Sequence, residues 1–263
     1  MTRDNLKLLE KRFADYCKSF ALPNCEDQKN LLLKEQHTYN VCKNIVKIAK
    51  AQSLNDDKIS LAEATALFHD IGRFPQYAKF RTFRDSISIN HGCLGADTLV
   101  EEGILHTLQR SEQETIIEAV KFHNAFTIPD LENPETILFL KMVRDADKLD
   151  IWRIFAEYYK GSEEDRASAI GLGLPDIPTY SQGVISSIYE KLVVSHSDVK
   201  TLNDFKLLQL SWVFDLNFGI SFRILLEKDY VNRIAAELPH TAEIRRISVI
   251  LQNFSHHKAF VQV

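Results

Sequence analysis

The chain has 263 residues, 45% hydrophobic and 26% charged, a balance suited to a globular protein with a sizeable buried core. Nine glycines and seven prolines exclude a low-complexity chain, and a formal net charge of −4 gives no mark of a nucleic-acid binder. No run approaches the roughly 20 apolar residues that would cross a bilayer.

Helical periodicity predicts helices over about residues 3–20, 29–53, 58–71, 86–102, 111–125, 134–160, 180–195, 203–229 and 240–254. Pro23, Pro75, Pro129, Pro134, Pro175, Pro178 and Pro239 fall between these runs, as helix-dominated chains require. Strand-like alternation is confined to an ambiguous stretch at Lys191–Val194, so the predicted fold is all-α. The first helix, MTRDNLKLLEKRF, is charged and amphipathic and has no signal-peptide core. Cys17, Cys25, Cys42 and Cys93 form no C-x-x-C pair and read as buried reduced thiols of a cytoplasmic protein, with two disulfides as the alternative.

In the second predicted helix Leu33, His37, Val41, Ile45 and Ile48 share a stripe, which puts His37 on the buried face. The third, ISLAEATALFHD, is expected to stop at Gly72 as a left-handed residue. His69 and Asp70 then occupy its last turn, where the helix dipole favours a cation. An aspartate is misplaced there unless a metal offsets its charge. His91 opens HGCLGADTLVEEG, whose Gly92, Gly95 and Ala96 allow close backbone approach. Ile116, Val120 and His123 share the inward face of the next helix.

The run ILFLKMVRDADKLDIW offers three aspartates. A helical projection groups Asp145 with Lys141, Arg144 and Lys148 on a solvent arc, and sets Asp147 and Asp150 in the apolar one. Asp147 is therefore the expected ligand, and Asp150 an acceptor that could orient a ligand histidine. After His69-Asp70 comes RFPQYAKFRTFRDS, read as a loop. It carries Arg73, Lys79, Arg81 and Arg84, a cationic segment suited to an anionic phosphate. Lys79 reads as solvated, and Tyr77, Phe80 and Phe83 as core or lid packing.

The stretch from Lys160 to Gly183 is the expected mobile connection. Its Gly171-x-Gly173 lacks the preceding strand and third glycine of a dinucleotide fingerprint. A single domain is expected, with a core over about 29–160 and a helical extension over about 180–260. The aromatic run QLSWVFDLNFGISF, with Asp215 inside it, reads as core or a homodimer face, and His256-His257 as an exposed pair.

The order H…HD…H…H…D, carried by His37, His69-Asp70, His91, His123 and Asp147, resembles the HD-domain superfamily of metal-dependent phosphohydrolases. The resemblance covers a little under half of the chain. It implies an HD-like helical bundle with N- and C-terminal helical extensions, and a metal site built from those six side chains. Six ligands are enough for two ions with Asp70 between them. Imidazole-rich ligation favours Mn, Fe, Co, Ni or Zn over Mg. Asp147-Lys148-Leu149 matches the family's last motif.

Arg73 stands where HDIG-type phosphodiesterases often carry a basic residue, which ranks it first among substrate contacts and Lys148 second. Arg81, Arg84 and Asn124 complete the substrate-side set. Asn124 replaces the second histidine of the HD-GYP subfamily, and no GYP tripeptide is present, a departure from cyclic-di-GMP hydrolysis. The implied function is hydrolysis of a small phosphorylated compound or nucleotide by metal-activated water. Asp70 could take a proton, and Arg73 and Lys148 could stabilise the phosphoryl group. A mixed-valent di-iron oxygenase is the alternative, because some HD-fold proteins with four histidines and two aspartates are of that kind. A metal-containing ligand sensor without turnover is the third reading.

Overall fold

The structure is a computed structural model that describes residues 1–159 and 173–260. Of the connection expected over Lys160–Gly183, residues 160–172, Gly171 included, lie outside the described residues; 173–181 carry no helix, and Gly183 lies in the helix that starts at Gln182. The described residues are helical and contain no strand, Lys191–Val194 included. They form two compact units, residues 1–147 and residues 148–159 with 173–260. Among the described residues no helix is long and apolar enough to cross a membrane.

The first unit contains α1 (Arg3–Ser19), α2 (Cys25–Ala51), α3 (Asp56–Phe68), α4 (Arg73–Phe80), α5 (His91–Glu101), α6 (Arg110–Phe122) and the first part of α7 (Pro134–Tyr158). Asn24, Asn55 and Asn90 cap α2, α3 and α5, each accepting a backbone N–H from the first turn. A capping box between Gln109 and Glu112 starts α6. The helix α3 is buried from Ser60 to Phe68 except at Glu63. Its Ala62, Ala64 and Ala66 leave room for α1, α2 and α6 to pack around it. Phe13 of α1 meets Phe68 and Phe74 edge-on at 6.1 and 6.0 Å. Burying each such ring contributes roughly 1.5–3 kcal/mol. The site-bearing end of α3 is thereby held on several sides.

Three sequence expectations for this unit are corrected. The segment after His69-Asp70 is helical over α4, with Pro75 in the first turn, where its missing N–H is harmless. Gly72 is right-handed (φ −66°, ψ −16°) rather than left-handed. Its glycine is needed for space: a Cβ would lie 2.3 Å from the His91 carbonyl oxygen and 2.6 Å from the Gly95 nitrogen. Asp145 is fully buried rather than solvent-facing, and so is most of α7 around it: Phe139, Leu140, Met142, Val143, Arg144 and Ala146. A projection assigns a solvent arc only where a helix has one.

The second unit holds the last turns of α7 with α8 (Gln182–Tyr189), α9 (Leu202–Ser211), α10 (Gly219–Glu227), α11 (Tyr230–Ala235) and α12 (Ala242–Phe260). The single helix expected over 203–229 is α9, a 3₁₀ turn at Trp212–Asp215, and α10. Asn217 donates to the Asp215 carbonyl in the break, and extended Phe218 restarts the helix. An evenly apolar run carries no period that would reveal such a break. Asp204 gathers the Ser181, Lys200 and Thr201 N–H groups around buried α9, and Trp152 Nε1 donates to the Gln209 carbonyl at 3.0 Å. Asp215 is paired with Lys148 at 2.7 Å.

Candidate metal centre

Three helix ends and two helix interiors deliver the six side chains to one place in the first unit. His37 comes from the middle of α2, on the stripe with buried Val41, Ile45 and Ile48. His69 caps the C-terminus of α3 with Asp70 next to it, His91 is the first residue of α5, and His123 caps the C-terminus of α6. Asp147 projects from α7. The four histidines and Asp70 are at most 4% exposed, and the Asp147 side chain keeps 18%.

Asp70 lies between two groups. Its Oδ2 is 3.7 Å from Nε2 of both His37 and His69, while its Oδ1 is 3.4 Å from His91 Nε2 and 3.8 Å from His123 Nε2. Asp147 joins the first group, 3.0 Å from His37 Nε2 and 3.7 Å from His69 Nε2. His37, His69 and Asp70 thus present one cluster of close ligand atoms, and Asp70, His91 and His123 a second.

Whether these residues suit a cation follows from the imidazoles. His69 Nδ1 lies 2.7 Å from the Ala66 carbonyl, His123 Nδ1 2.7 Å from the Val120 carbonyl, and His91 Nδ1 2.6 Å from Asp85 Oδ2. Each acceptor requires the proton on Nδ1, so Nε2 carries the lone pair. Those Nε2 atoms face partners of their own kind: His91 and His123 at 3.0 Å, His69 and His37 at 3.4 Å. Lone pairs at the His91–His123 spacing repel, and a shared cation removes the conflict. The donor set fits a divalent transition metal.

The electrostatics agree. Burial pushes the Asp70 carboxyl up, but the neighbouring cations, Lys34 first and then Arg73, oppose it, and the carboxyl is held well below the usual carboxylate range. For Asp147 burial again opposes, and the hydrogen bond from His37, whose Nε2 lies 3.0 Å away, prevails and holds the carboxyl below the usual range. Burial, with Arg73 nearby, pushes His91 down to about 3, so it is neutral around pH 7. Both carboxylates are therefore ionised and His91 is available as a ligand.

Around the ligands the substrate-side expectations divide. Arg73 donates from Nε to Asp70 at 3.3 Å, and from Nη1 to Gln76, the Phe83 carbonyl and Asp85 at 2.9, 2.6 and 3.0 Å. Asn124 donates to Asp85 and Asn90 at 3.1 and 3.2 Å. Arg81 ends α4 in a left-handed conformation and pairs with Asp27 at 3.3 Å, Arg84 is exposed, and Lys148 pairs with Asp215. Asp150 pairs with Arg153 at 2.6 Å. Exposed His256 and His257 belong to neither cluster of ligand atoms.

Two residues escaped sequence reasoning. Lys34 places Nζ 2.8 Å from Asp70 Oδ2, and its signal was available: it lies three residues before His37 on the same face of α2. Asp85 reaches His91 across a loop, with no local pattern to mark it.

The family model for the HD domain matches residues 35–152, which include all six ligand-set side chains. No curated protein and no solved structure matches the chain.

Proposed function

From the premise that this chain carries an HD domain, we propose that it is a metal-dependent phosphohydrolase acting on a small phosphorylated compound, with nucleotides among its candidates. The observation that supports the reading best is Asp70, set between two histidine pairs and flanked by two cations, Lys34 and Arg73. Divalent transition-metal ions held there, one by His37, His69, Asp70 and Asp147 and one by Asp70, His91 and His123, would lower the pKa of a water towards neutrality and polarise a phosphoryl oxygen. The chain's own residues do the rest. His37, His69, His91 and His123 orient the site through their Nε2 atoms. Asp70, kept ionised, presents one carboxylate oxygen to each position. Lys34 and Arg73 hold phosphate oxygens: the Lys34 side chain is 16% exposed, the Arg73 side chain 14%, and both already pair with the Asp70 carboxylate. Lys148 ranks below them because its ammonium is paired with Asp215.

The test is a panel of nucleotides and phosphate esters presented to Mn-, Co-, Ni- and Fe-loaded protein and scored for phosphate release. Release lost in His69→Ala and Asp70→Ala supports the reading. Lys34→Met should lower turnover by roughly 10²–10³-fold with metal content unchanged, the loss typical of one charge-stabilising donor. Arg73→Ala should lower it too, together with order in the 83–85 segment that Arg73 ties down. A carboxylate set between two histidine pairs would also suit a di-iron centre, which favours oxygenase chemistry as the second reading. Silence across the panel beside O₂ uptake by the Fe form would select it.

A further inference from the structure

His91 differs from the other histidines in where its orientation comes from. His69 and His123 end their helices, so the carbonyl three residues earlier, Ala66 or Val120, is in place to accept from Nδ1. His91 begins α5, where the preceding backbone has no helical turn and the helix presents N–H donors instead of carbonyls. An acceptor for its Nδ1 has to be brought from elsewhere. Asp85, in the 3₁₀ turn Asp85–Ile87, is that acceptor at 2.6 Å.

The construction around Asp85 exceeds what a turn carboxylate needs. Its Oδ1 receives Arg73 Nη1 at 3.0 Å and Gln76 Nε2 at 2.9 Å, both from α4. Its Oδ2 receives His91 Nδ1 and, at 3.1 Å, Asn124 Nδ2 from just beyond α6. Gly92 makes the last contact feasible, since a Cβ there would lie 2.6 Å from Asn124 Oδ1 and 2.8 Å from the Lys121 carbonyl. Four donors from three parts of the chain fix a side chain that is itself 30% exposed.

We propose that Asp85 is a positioning residue that sets the affinity of the second metal position, the one formed by Asp70, His91 and His123. It keeps the His91 proton on Nδ1 and aims Nε2 at His123 and Asp70. Through Oδ1 it also fixes Arg73, so one carboxylate aligns a ligand imidazole and the guanidinium beside Asp70. The first position, with His37, His69 and Asp147, makes no use of it. The two positions are therefore unequal, and the inequality resides in a turn. The inference rests on the six-residue ligand set and is independent of whether the reaction is hydrolysis.

Titration of metal-free protein with Zn²⁺ against a chromophoric chelator tests it. Wild type should take two equivalents, and His91→Ala one. Asp85→Ala should bind the first equivalent as wild type does and the second roughly 10–100-fold more weakly, the usual cost of losing the group that orients a ligand histidine. Asp85→Asn keeps an oxygen acceptor for Nδ1 and should recover part of that loss; it also carries the comparison if the alanine variant does not fold, as judged by circular dichroism. Unchanged affinity for the second equivalent in the folded variants would overturn the proposal, and so would proportional weakening of both equivalents. A wild type that takes one equivalent overturns the ligand-set reading and this inference together. Two equivalents with no phosphate release overturns the hydrolytic reading alone.

Discussion

The two histidine pairs on either side of Asp70 are built by different means. His37 and His69 sit on α2 and α3, deep in the first unit, and His69 is oriented by a carbonyl of its own helix. His91 and His123 stand at a helix start and a helix end, and the start depends on a carboxylate from a turn. A ligand oriented by its own helix moves only if the helix moves. One oriented by a side chain across a loop can be weakened by a single substitution outside the ligand set. The difference implies that the first position is the tighter one and that the second is the place where affinity can be tuned.

The most severe way to break this comparison is to remove the residue common to both halves. Asp70→Ala should lose both equivalents and all turnover, since each carboxylate oxygen faces one pair of imidazoles. Asp147→Ala should lose only the first, because its carboxylate reaches His37 and His69. Metal analysis of protein purified without chelator reads both. An Asp70→Ala protein that keeps one equivalent, or an Asp147→Ala protein that loses both, would remove the distinction between the positions.

The comparison also shows what sequence could reveal. His37, His91 and His123 were legible because helical period and small neighbouring residues locate inward faces, and α2 and α6 are amphipathic enough to express them. In α7 the same reasoning set Asp147 beside the other ligands yet exposed Asp145, which is buried among neighbours that are buried as well. Lys34 was readable as a neighbour of His37 one turn away, but a lysine on a helix resembles solvated charge until Asp70 is found beside it. Asp85 had no local signature at all. Its partners lie in α4, at the start of α5 and after α6, so its role exists only once those segments meet. Gly72 drew attention for the wrong reason: the chain needs its missing Cβ, not a positive φ.

Gly72 gives a sharper and smaller test of the second position. Its Cα faces the backbone of α5 at His91 and Gly95, and neither a carbonyl nor a backbone nitrogen can rotate away as a side chain could. Gly72→Ala should cost about 1–3 kcal/mol by overpacking, seen in a denaturant melt. Displacement of the α5 start should weaken the second equivalent more than the first. Equal weakening of both would mean that the strain spreads through α3 to His69 and Asp70, and that the two halves move together.

The smallest effect on metal belongs to Asp145, and it tests whether the site ends where the geometry draws it. Asp145 is two residues from Asp147 on α7 and fully buried, so both aspartates lie close to the centre along the chain. Successive helical residues diverge by about 100°, and positions two apart point to nearly opposite sides. Asp147 faces His37, while Asp145 therefore faces away from the ligands and serves packing in the first unit. A buried carboxylate persists only when donors satisfy it, and alanine would leave those donors unmatched, at roughly 1–3 kcal/mol. Asp145→Ala should thus lower the midpoint of urea unfolding while the folded protein still takes two equivalents with unchanged affinities. Loss of metal from folded Asp145→Ala would show that the centre extends around α7 to the far side of the helix, and the division between a helix-held first position and a turn-held second would have to be redrawn.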